Sequence, residues 1–215
     1  MNRRICTVDR DELRRWIPKR YSPALHLAGM YGTGLAAIVW LAATYLTAIP
    51  FTHLLAMPCI FAAASLVEYA AHRWLMHTRR SWLPLAWDAH VGRHHHYYRA
   101  DAPTWDHARD VWLILFSPLD VLILCALLVG PFALLRFAVS AGSWALVLVT
   151  CIVYFLVYEA LHLAFHLPDS HWVSRVEPLA SLRARHVRHH ELADTHANYS
   201  VIIPLWDRMF GTARK

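Results

Sequence analysis

Residues 54–77, LLAMPCIFAAASLVEYAAHRWLMH, combine a long apolar stretch with two histidines, His72 and His77, near or at its end. An α-helix needs about 20 mainly apolar residues to cross the roughly 30 Å hydrocarbon core of a bilayer. This stretch is long enough, and it carries one carboxylate, Glu68. The pattern predicts a transmembrane helix that ends in side chains able to bind a metal ion or a proton.

Three other apolar stretches have a similar length and predict, with the first, a bundle of four transmembrane helices in an all-α fold. They span roughly residues 24–48, 111–135 and 143–167. The chain of 215 residues is 57% hydrophobic and 17% charged, whereas soluble domains are about 45–50% apolar and about 25% charged. This composition excludes a disordered chain, and the charged first 20 residues do not resemble a secretory signal. We therefore expect a single membrane domain over residues 1–215, with the first helix retained.

The distribution of positive charge predicts how the bundle is oriented. Twenty of the 21 Lys and Arg residues lie in residues 1–26, 72–110 and 168–215, and Arg136 is the exception. With four spans these three regions share one face of the membrane, and the positive-inside rule makes that face cytoplasmic. Anionic lipid explains the net charge of +6, so we expect no nucleic-acid partner. Both termini and a basic N-terminal segment, residues 1–23, are predicted to be cytosolic.

Ten of the sixteen histidines form four clusters, and this topology brings all four to the cytoplasmic face. The clusters are His72 and His77, then His90, His94 and His95, then His162 and His166, and finally His186, His189 and His190. Imidazole is a common metal ligand, and ten ligands exceed the about four to six that one transition-metal ion holds. The pattern predicts a two-metal centre with these ten histidines as ligands. A purely structural role is disfavoured, because neutral histidines buried without partners are costly.

The spacing within the clusters fits regular helices except at one place. His162 and His166 are one turn apart, and the last three histidines also share a helix face. His72 and His77 are five residues apart, which is about 500° of rotation and leaves the two rings roughly 140° apart on a regular helix. Either the helix is locally distorted there, or the two rings serve different ions.

Four residues are expected to support the ligands without binding metal themselves: Glu68, Glu159, His196 and Asn198. Glu68 lies four residues before His72, and Glu159 lies three before His162. Each carboxylate is therefore one turn from a ligand and can accept that ring's second N–H, which fixes the tautomer. The alternative is a capping role or an ion pair, for which Arg73 is the obvious partner.

These motifs resemble the fatty acid hydroxylase / sterol desaturase superfamily of membrane-bound, non-haem di-metal oxygenases. The similarity covers residues 55–212, which we interpret as the histidine-box catalytic region. It rests on the segment Glu68–His77, on His90-x3-His94-His95, on His162-x3-His166, on His186-x2-His189-His190, and on Asn198-Tyr199 followed by PLWDRMFGT at 204–212. The chain departs from the family's pattern at residues 94–96, where three consecutive histidines stand and relatives often have two. Which of these three bind metal stays open.

The resemblance implies both a fold and a chemistry. The fold would be a four-helix membrane bundle with a cytosolic helical cap that holds two iron ions, with zinc as a possible occupant. The chemistry would be O2-dependent hydroxylation or desaturation of a lipid C–H bond in lipid biosynthesis, with no catalytic side chain beyond the metal centre. The lipid would come from the bilayer, and two electrons would come from an external cytochrome b5-like or ferredoxin-like donor.

Other classes of metal-binding membrane protein fit the sequence less well. A transporter should place its ligands near the bilayer midplane, whereas these cluster at one end. A zinc protease would need H-E-x-x-H, and in the segment 190–194 an aspartate, Asp194, stands where the second histidine belongs. A di-zinc membrane hydrolase, or a metal-binding membrane protein without oxygenase activity, is the alternative interpretation. The lipid and the choice between hydroxylation and desaturation stay open.

Overall fold

The computed structural model describes residues 9–47, 49–116, 129–191 and 196–214, without the side chains of residues 131 and 132. Within these ranges the chain is helical and forms no β-strand. The α-helices are α1 (Arg10–Arg14), α2 (Pro23–Leu41), α3 (Met57–Ala71), α4 (Pro84–Ala89), α5 (Ala141–Phe165), α6 (Leu179–His189) and α7 (Leu205–Met209).

Three helical segments in the described chain are long and apolar enough to cross a membrane, so this is a membrane protein. They are Pro23–Leu46, which contains α2, Phe51–Met76, which contains α3, and Ala141–Phe165, which is α5. The first and third begin at serine N-caps: the Ser22 side chain accepts a hydrogen bond from a backbone N–H in the first turn, and Ser140 does the same. The helix α5 lies at the centre of the bundle, because 61% of its apolar 18-residue stretch is buried, against 6% for that of the first segment.

In chain order, the first, second and fourth predicted spans (residues 24–48, 54–77 and 143–167) correspond to these three segments. Residues 117–128 of the third span, which was predicted over residues 111–135, lie outside the described residues. The chain on either side of that gap forms short 3-10 helices, Ala108–Leu113 and Gly130–Phe137.

The helices α3 and α5 pack along each other and form the centre of the apolar core. The fully buried Ala64 of α3 belongs to the same core cluster as Val147, Cys151 and Tyr154 of α5. Both helices end at histidines, at His72 and His166, and the histidines at or just after the C-terminal ends of the shorter helices α4 and α6 lie at this end too. The bundle therefore brings residues from distant parts of the chain together beyond the ends of α3 and α5.

The N-terminal helix α1 packs against the same end of the molecule. Leu13 and Ile17 are buried in a second core cluster with Tyr97, Tyr98 and Leu113. Burying such side chains contributes about 1.5–3 kcal/mol each. This cluster ties the start of the chain to residues that directly follow the second histidine cluster.

Candidate metal centre

Two π-helical turns shape the histidine clusters. Residues His72–Met76 extend α3 as a π-helix, and His90–His95 extend α4 in the same way. In a π-helix the hydrogen bonds run over five residues, as in the 3.1 Å bond from His77 N to the carbonyl oxygen of His72. Residues five apart then share a face. The local distortion considered for His72 and His77 is therefore present, and the second cluster contains another.

The ten histidines of the four clusters meet in two adjacent groups. Group A consists of His72, His77, His90, His95 and His189, and group B consists of His94, His166, His186 and His190. Within each group one nitrogen per residue lies within 4.8 Å of all the others. The tenth histidine, His162, is next to group B, with 3.2 Å between its Nε2 and that of His94. All ten side chains are buried.

Neighbouring histidines divide between the two groups. His94 faces group B and His95 faces group A, whereas His96 is exposed and its Nδ1 contacts the carbonyl oxygen of Val91. In the last cluster, His189 belongs to group A, whereas His186 and His190 belong to group B. The three were expected to share one face, and that face borders both groups.

Backbone carbonyl groups fix the orientation of four of the rings. The Nδ1 atom of His72 lies 2.5 Å from the carbonyl oxygen of Tyr199, and that of His189 lies 2.6 Å from Ala197 O. In group B, the Nδ1 of His94 lies 2.9 Å from Leu113 O, and that of His166 lies 2.7 Å from Pro103 O. A carbonyl oxygen only accepts, so each Nδ1 carries the hydrogen, and each Nε2 presents a lone pair. Histidines that bind metals are held in this way.

The distances between ring nitrogens fit a bound ion. The Nε2 atoms of His72 and His189 lie 3.1 Å apart although both present lone pairs. Two nitrogens at about 2.0–2.1 Å from one ion are separated by about 2.9–3.4 Å. In group B, His166 and His190 each lie 3.1 Å from the Nε2 of His186. Both groups are compatible with metal binding.

Burial keeps these rings neutral, as metal ligands must be. The pKa values of His90, His95 and His190 lie well below the usual 6.5, first because burial disfavours the charged ring and then because neighbouring histidines repel a proton. Burial also lowers the pKa of His166 to about 4, although its hydrogen bond to Pro103 opposes the shift. Neutral imidazoles with inward lone pairs form a donor set suited to divalent transition metals.

Comparison with known proteins agrees with this geometry. The family described as fatty acid hydroxylase matches residues 57–212, which include all ten histidines. The chain belongs to the fatty acid hydroxylase family. A solved structure titled "Full length scs7p (only hydroxylase domain visible)" has the same fold, with a TM-score of 0.63 and 23% sequence identity, covering 88% of this chain and 67% of that one. No curated protein sequence matches this chain significantly.

Glu68 does not bind His72 as expected. The Glu68 Oε2 accepts a 2.8 Å hydrogen bond from the Tyr154 hydroxyl, and its Oε1 accepts one of 3.2 Å from Val201 N. The segment that contains Tyr199 and Val201 packs against α3, so the Tyr199 carbonyl accepts the ring N–H of His72 and the Val201 N–H donates to the carboxylate. The predicted Glu68–His72 bond was therefore wrong. An ion pair with Arg73 is not formed either, since Arg73 donates to the Tyr69 hydroxyl.

Glu159 is fully buried on α5, one turn before His162. The Nδ1 of His162 has no hydrogen-bond partner among the described residues, so the expected bond between them is absent from the described chain. A supporting role for Glu159 stays a prediction.

The other two expected supporting residues lie at the edge of group A. His196 is exposed, with its ring 6.5 Å from that of His77. Asn198 is buried and has a positive φ of 55°, a conformation that asparagine adopts more readily than most residues. Its backbone N–H donates to Thr212 O, and its Oδ1 accepts from Arg214 N. Asn198 therefore shapes the turn between the carbonyl groups of residues 197 and 199, and the described bonds of its side chain involve no ligand.

Sequence reasoning missed the carbonyl groups that hold the rings. They belong to Pro103, Leu113, Ala197 and Tyr199. Every residue has a carbonyl group, so no residue type could have identified these four. Only the C-terminal motif around Asn198-Tyr199 gave a signal, and only for the two in group A.

Proposed function

We propose that this chain is a membrane-bound di-iron oxidoreductase that uses O2 and two electrons to hydroxylate or desaturate a lipid. Group A would hold one iron ion, and group B with His162 would hold the other. Bound iron would supply the activation of O2 and the oxidation of an unactivated C–H bond. The observation that carries the proposal is the pair of adjacent, buried, neutral histidine groups in a member of the fatty acid hydroxylase family.

The role of the chain itself would be to orient the ligands, exclude water and position the lipid. Orientation comes from the four carbonyl groups, and exclusion of water comes from the burial of all ten rings. No side chain beyond the metal centre is assigned a catalytic role. The catalytic contribution of the protein is then geometric, because holding one carbon near the oxidant replaces a bimolecular encounter.

A cavity between α2 and α5 supports entry of the substrate from the bilayer. It has a volume of about 690 Å3, with apolar walls that include Met30, Ile152 and Phe155, and a polar end that includes Arg20 and Tyr21. Its size lies within the roughly 300–1,000 Å3 of small-molecule sites. Phe155 also lines a smaller void that reaches His72. A lipid chain in the cavity would therefore be separated by Phe155 from the void that borders His72 of group A.

The proposed topology has four spans, with both termini and the metal centre on the cytoplasmic side. Phe116 accepts a hydrogen bond on its carbonyl from His26, near the start of α2, whereas Ser143, at the start of α5, bonds His53, just before α3. These two contacts lie at opposite ends of the bundle, which supports the proposed four spans. Twenty basic residues on one side support the cytoplasmic assignment. That basic face would receive an acidic cytochrome b5-like or ferredoxin-like donor.

The decisive experiment combines metal analysis with product analysis. The protein is purified in detergent, loaded with Fe2+, reduced with an external donor and supplied with isotopically labelled O2 and a lipid extract. We expect two ions per chain and a lipid that gains one labelled oxygen atom, or loses two hydrogen atoms, in the wild type and not in His166→Ala. Hydrolysis products formed with Zn2+ alone, without O2, would identify a di-zinc hydrolase instead. Metal binding without any product would identify a non-catalytic metal-binding protein.

A further inference from the structure

The four carbonyl groups that hold the histidines come from two separate segments, each serving one group. Segment B, residues 103–113, provides the carbonyls of Pro103 and Leu113 to two rings of group B. Segment A, residues 197–200, provides the carbonyls of Ala197 and Tyr199 to two rings of group A. The orientation of each group therefore depends on the conformation of one segment.

Segment B is organised around a buried carboxylate, Asp110, whose side chain is 1% exposed. Its Oδ2 accepts hydrogen bonds from the backbone N–H groups of His107 (2.9 Å) and Asp106 (3.2 Å), and its Oδ1 accepts one from the Nε of Arg14 on α1 (3.0 Å). Its backbone carbonyl accepts the Tyr98 hydroxyl at 2.8 Å. Asp110 thereby fixes the start of the 3-10 helix that ends at Leu113.

Burial opposes the ionisation of Asp110, but its hydrogen bonds outweigh that effect. The bonds from Arg14, Tyr97 and the backbone N–H of His107 lower the pKa of the carboxyl group to about 2. Asp110 is therefore a carboxylate at neutral pH and acts only as an acceptor.

Segment A is organised around a second buried carboxylate, Asp207 of α7, which is fully buried. Its Oδ1 accepts hydrogen bonds from Tyr199 N and the Thr212 hydroxyl, both at 2.8 Å, and its Oδ2 accepts Ser200 N at 2.9 Å. Arg185 of α6 lies 3.3 Å from the same Oδ2. Two of these donors are backbone groups of segment A itself, so Asp207 sets the direction in which the carbonyl of Tyr199 points.

We propose that Asp110 and Asp207 are positioning residues that act on the two metal groups separately, Asp110 on group B and Asp207 on group A. The described side-chain hydrogen bonds of Asp110 and Asp207 come from backbone N–H groups, arginines and hydroxyl groups, and none comes from a ring of group A or group B. Each acts by holding the backbone whose carbonyl groups select the Nδ1–H tautomer of two ligands. This inference rests on the proposed two-metal centre. It goes beyond that proposal, because it states that each metal site has its own support and can be weakened alone.

Replacing either aspartate by asparagine removes acceptor capacity while nearly keeping the shape. An asparagine presents one oxygen and one NH2 group, so at least one backbone N–H or arginine donor would face another donor. The segment would shift, and the ring N–H would lose its carbonyl partner. Removing such supporting hydrogen bonds typically lowers metal affinity about 10- to 100-fold.

The test is a Zn2+ titration of the metal-depleted, full-length protein in detergent, with metal per chain measured independently by mass spectrometry. His190→Ala removes a ligand of group B and leaves group A as the intact site, and His189→Ala does the converse. We expect D110N to weaken Zn2+ binding about 10- to 100-fold in the His189→Ala background and less than about threefold in the His190→Ala background. D207N should show the opposite selectivity.

Two exposed aspartates that make ion pairs near the same helices are matched controls. D106N removes a partner of Arg14, and D169N removes the partner of Arg183 on α6. Neither should change either affinity more than about threefold, since exposed ion pairs contribute about 0–1 kcal/mol.

Selectivity is the readout that a general loss of stability would not produce. Equal weakening of both sites by D110N or by D207N, or no weakening by either, would overturn the proposal even if the wild type binds two ions. If the wild type binds fewer than two Zn2+ ions, the two-metal centre fails and the separate supports fail with it.

Discussion

The Nε2 atoms of His72 and His189 lie 3.1 Å apart, and neither carries a hydrogen, because the Nδ1 of each ring donates to a backbone carbonyl. Two lone pairs at this distance repel each other unless a positive charge lies between them. Burial lowers the pKa of His189, so its ring does not gain a proton easily. This pair is the strongest argument in the fold for a cation in group A.

The first prediction follows from that pair. His189→Ala should reduce the metal content from two ions to one per chain and abolish product formation, because group A loses a ligand of fixed tautomer. The measurement is metal analysis with product analysis on the same preparation. His96→Ala is the control, since His96 directly follows the second histidine cluster but is exposed and bonds its own helix, so this variant should retain both ions. Equal metal content in His189→Ala and wild type would contradict the assignment of group A.

Each sequence pattern predicts a different part of this arrangement. Hydropathy and charge predict the membrane spans, and three of the four predicted spans match described helices. The spacing of the histidines indicates which residues are candidate metal ligands, and the structure brings all ten together. Helical periodicity assumes 3.6 residues per turn, so it could not assign His90, His94 and His95 to two groups, because a π-helical turn decides that division.

The error at Glu68 has a different cause. A carboxylate one turn from a histidine on the same helix is its nearest candidate partner in sequence. In the folded chain, residues 199–201 insert beside α3 and bond both His72 and Glu68. Contacts between segments more than 120 residues apart cannot be predicted from local spacing. The Tyr199 carbonyl could therefore be identified as the partner of His72 only from the structure.

The second prediction concerns the stability of the metal-depleted protein at acid pH. Eight of the ten histidines lie outside the membrane spans, and the pKa of each is lowered in the folded chain, with burial as the largest cause. Below about pH 6.5 the unfolded chain binds protons that the folded chain does not, so the free energy of unfolding falls as pH falls. The loss should approach about 1.4 kcal/mol per pH unit for each such histidine.

The check is a set of thermal or urea unfolding curves between pH 7.5 and pH 5.5, with and without bound metal. A bound ion competes with protons for the same nitrogens and stabilises the folded state by about 4 kcal/mol when free ion is a thousandfold above Kd. The metal-loaded protein should therefore keep its midpoint to a lower pH. Identical pH profiles for the two forms would show that the histidines do not bind the ion.

The third prediction tests the cavity between α2 and α5. Gly29 lines it, Gly32 on the same helix does not, and a Cβ at either position meets no atom within 4 Å. Gly29→Leu should fill part of the cavity and raise the KM for the lipid about tenfold or more, whereas Gly32→Leu should leave KM nearly unchanged. A lost methylene contact in an apolar pocket changes specificity about 10- to 200-fold, which sets this scale. Equal effects of the two substitutions would indicate that the cavity does not bind the substrate.

The last prediction concerns Glu68, which joins three parts of the bundle. Glu68→Ala should destabilise the fold by about 1–3 kcal/mol, because the Tyr154 hydroxyl and the Val201 N–H would be buried without an acceptor. Glu68→Gln keeps one carbonyl oxygen and should recover part of that loss. If Glu68 instead acted directly on the metal ligand His72, both variants would lower metal affinity without lowering the unfolding midpoint of the metal-depleted protein. Unfolding curves of the metal-depleted variants, compared with their Zn2+ affinities, distinguish the two roles.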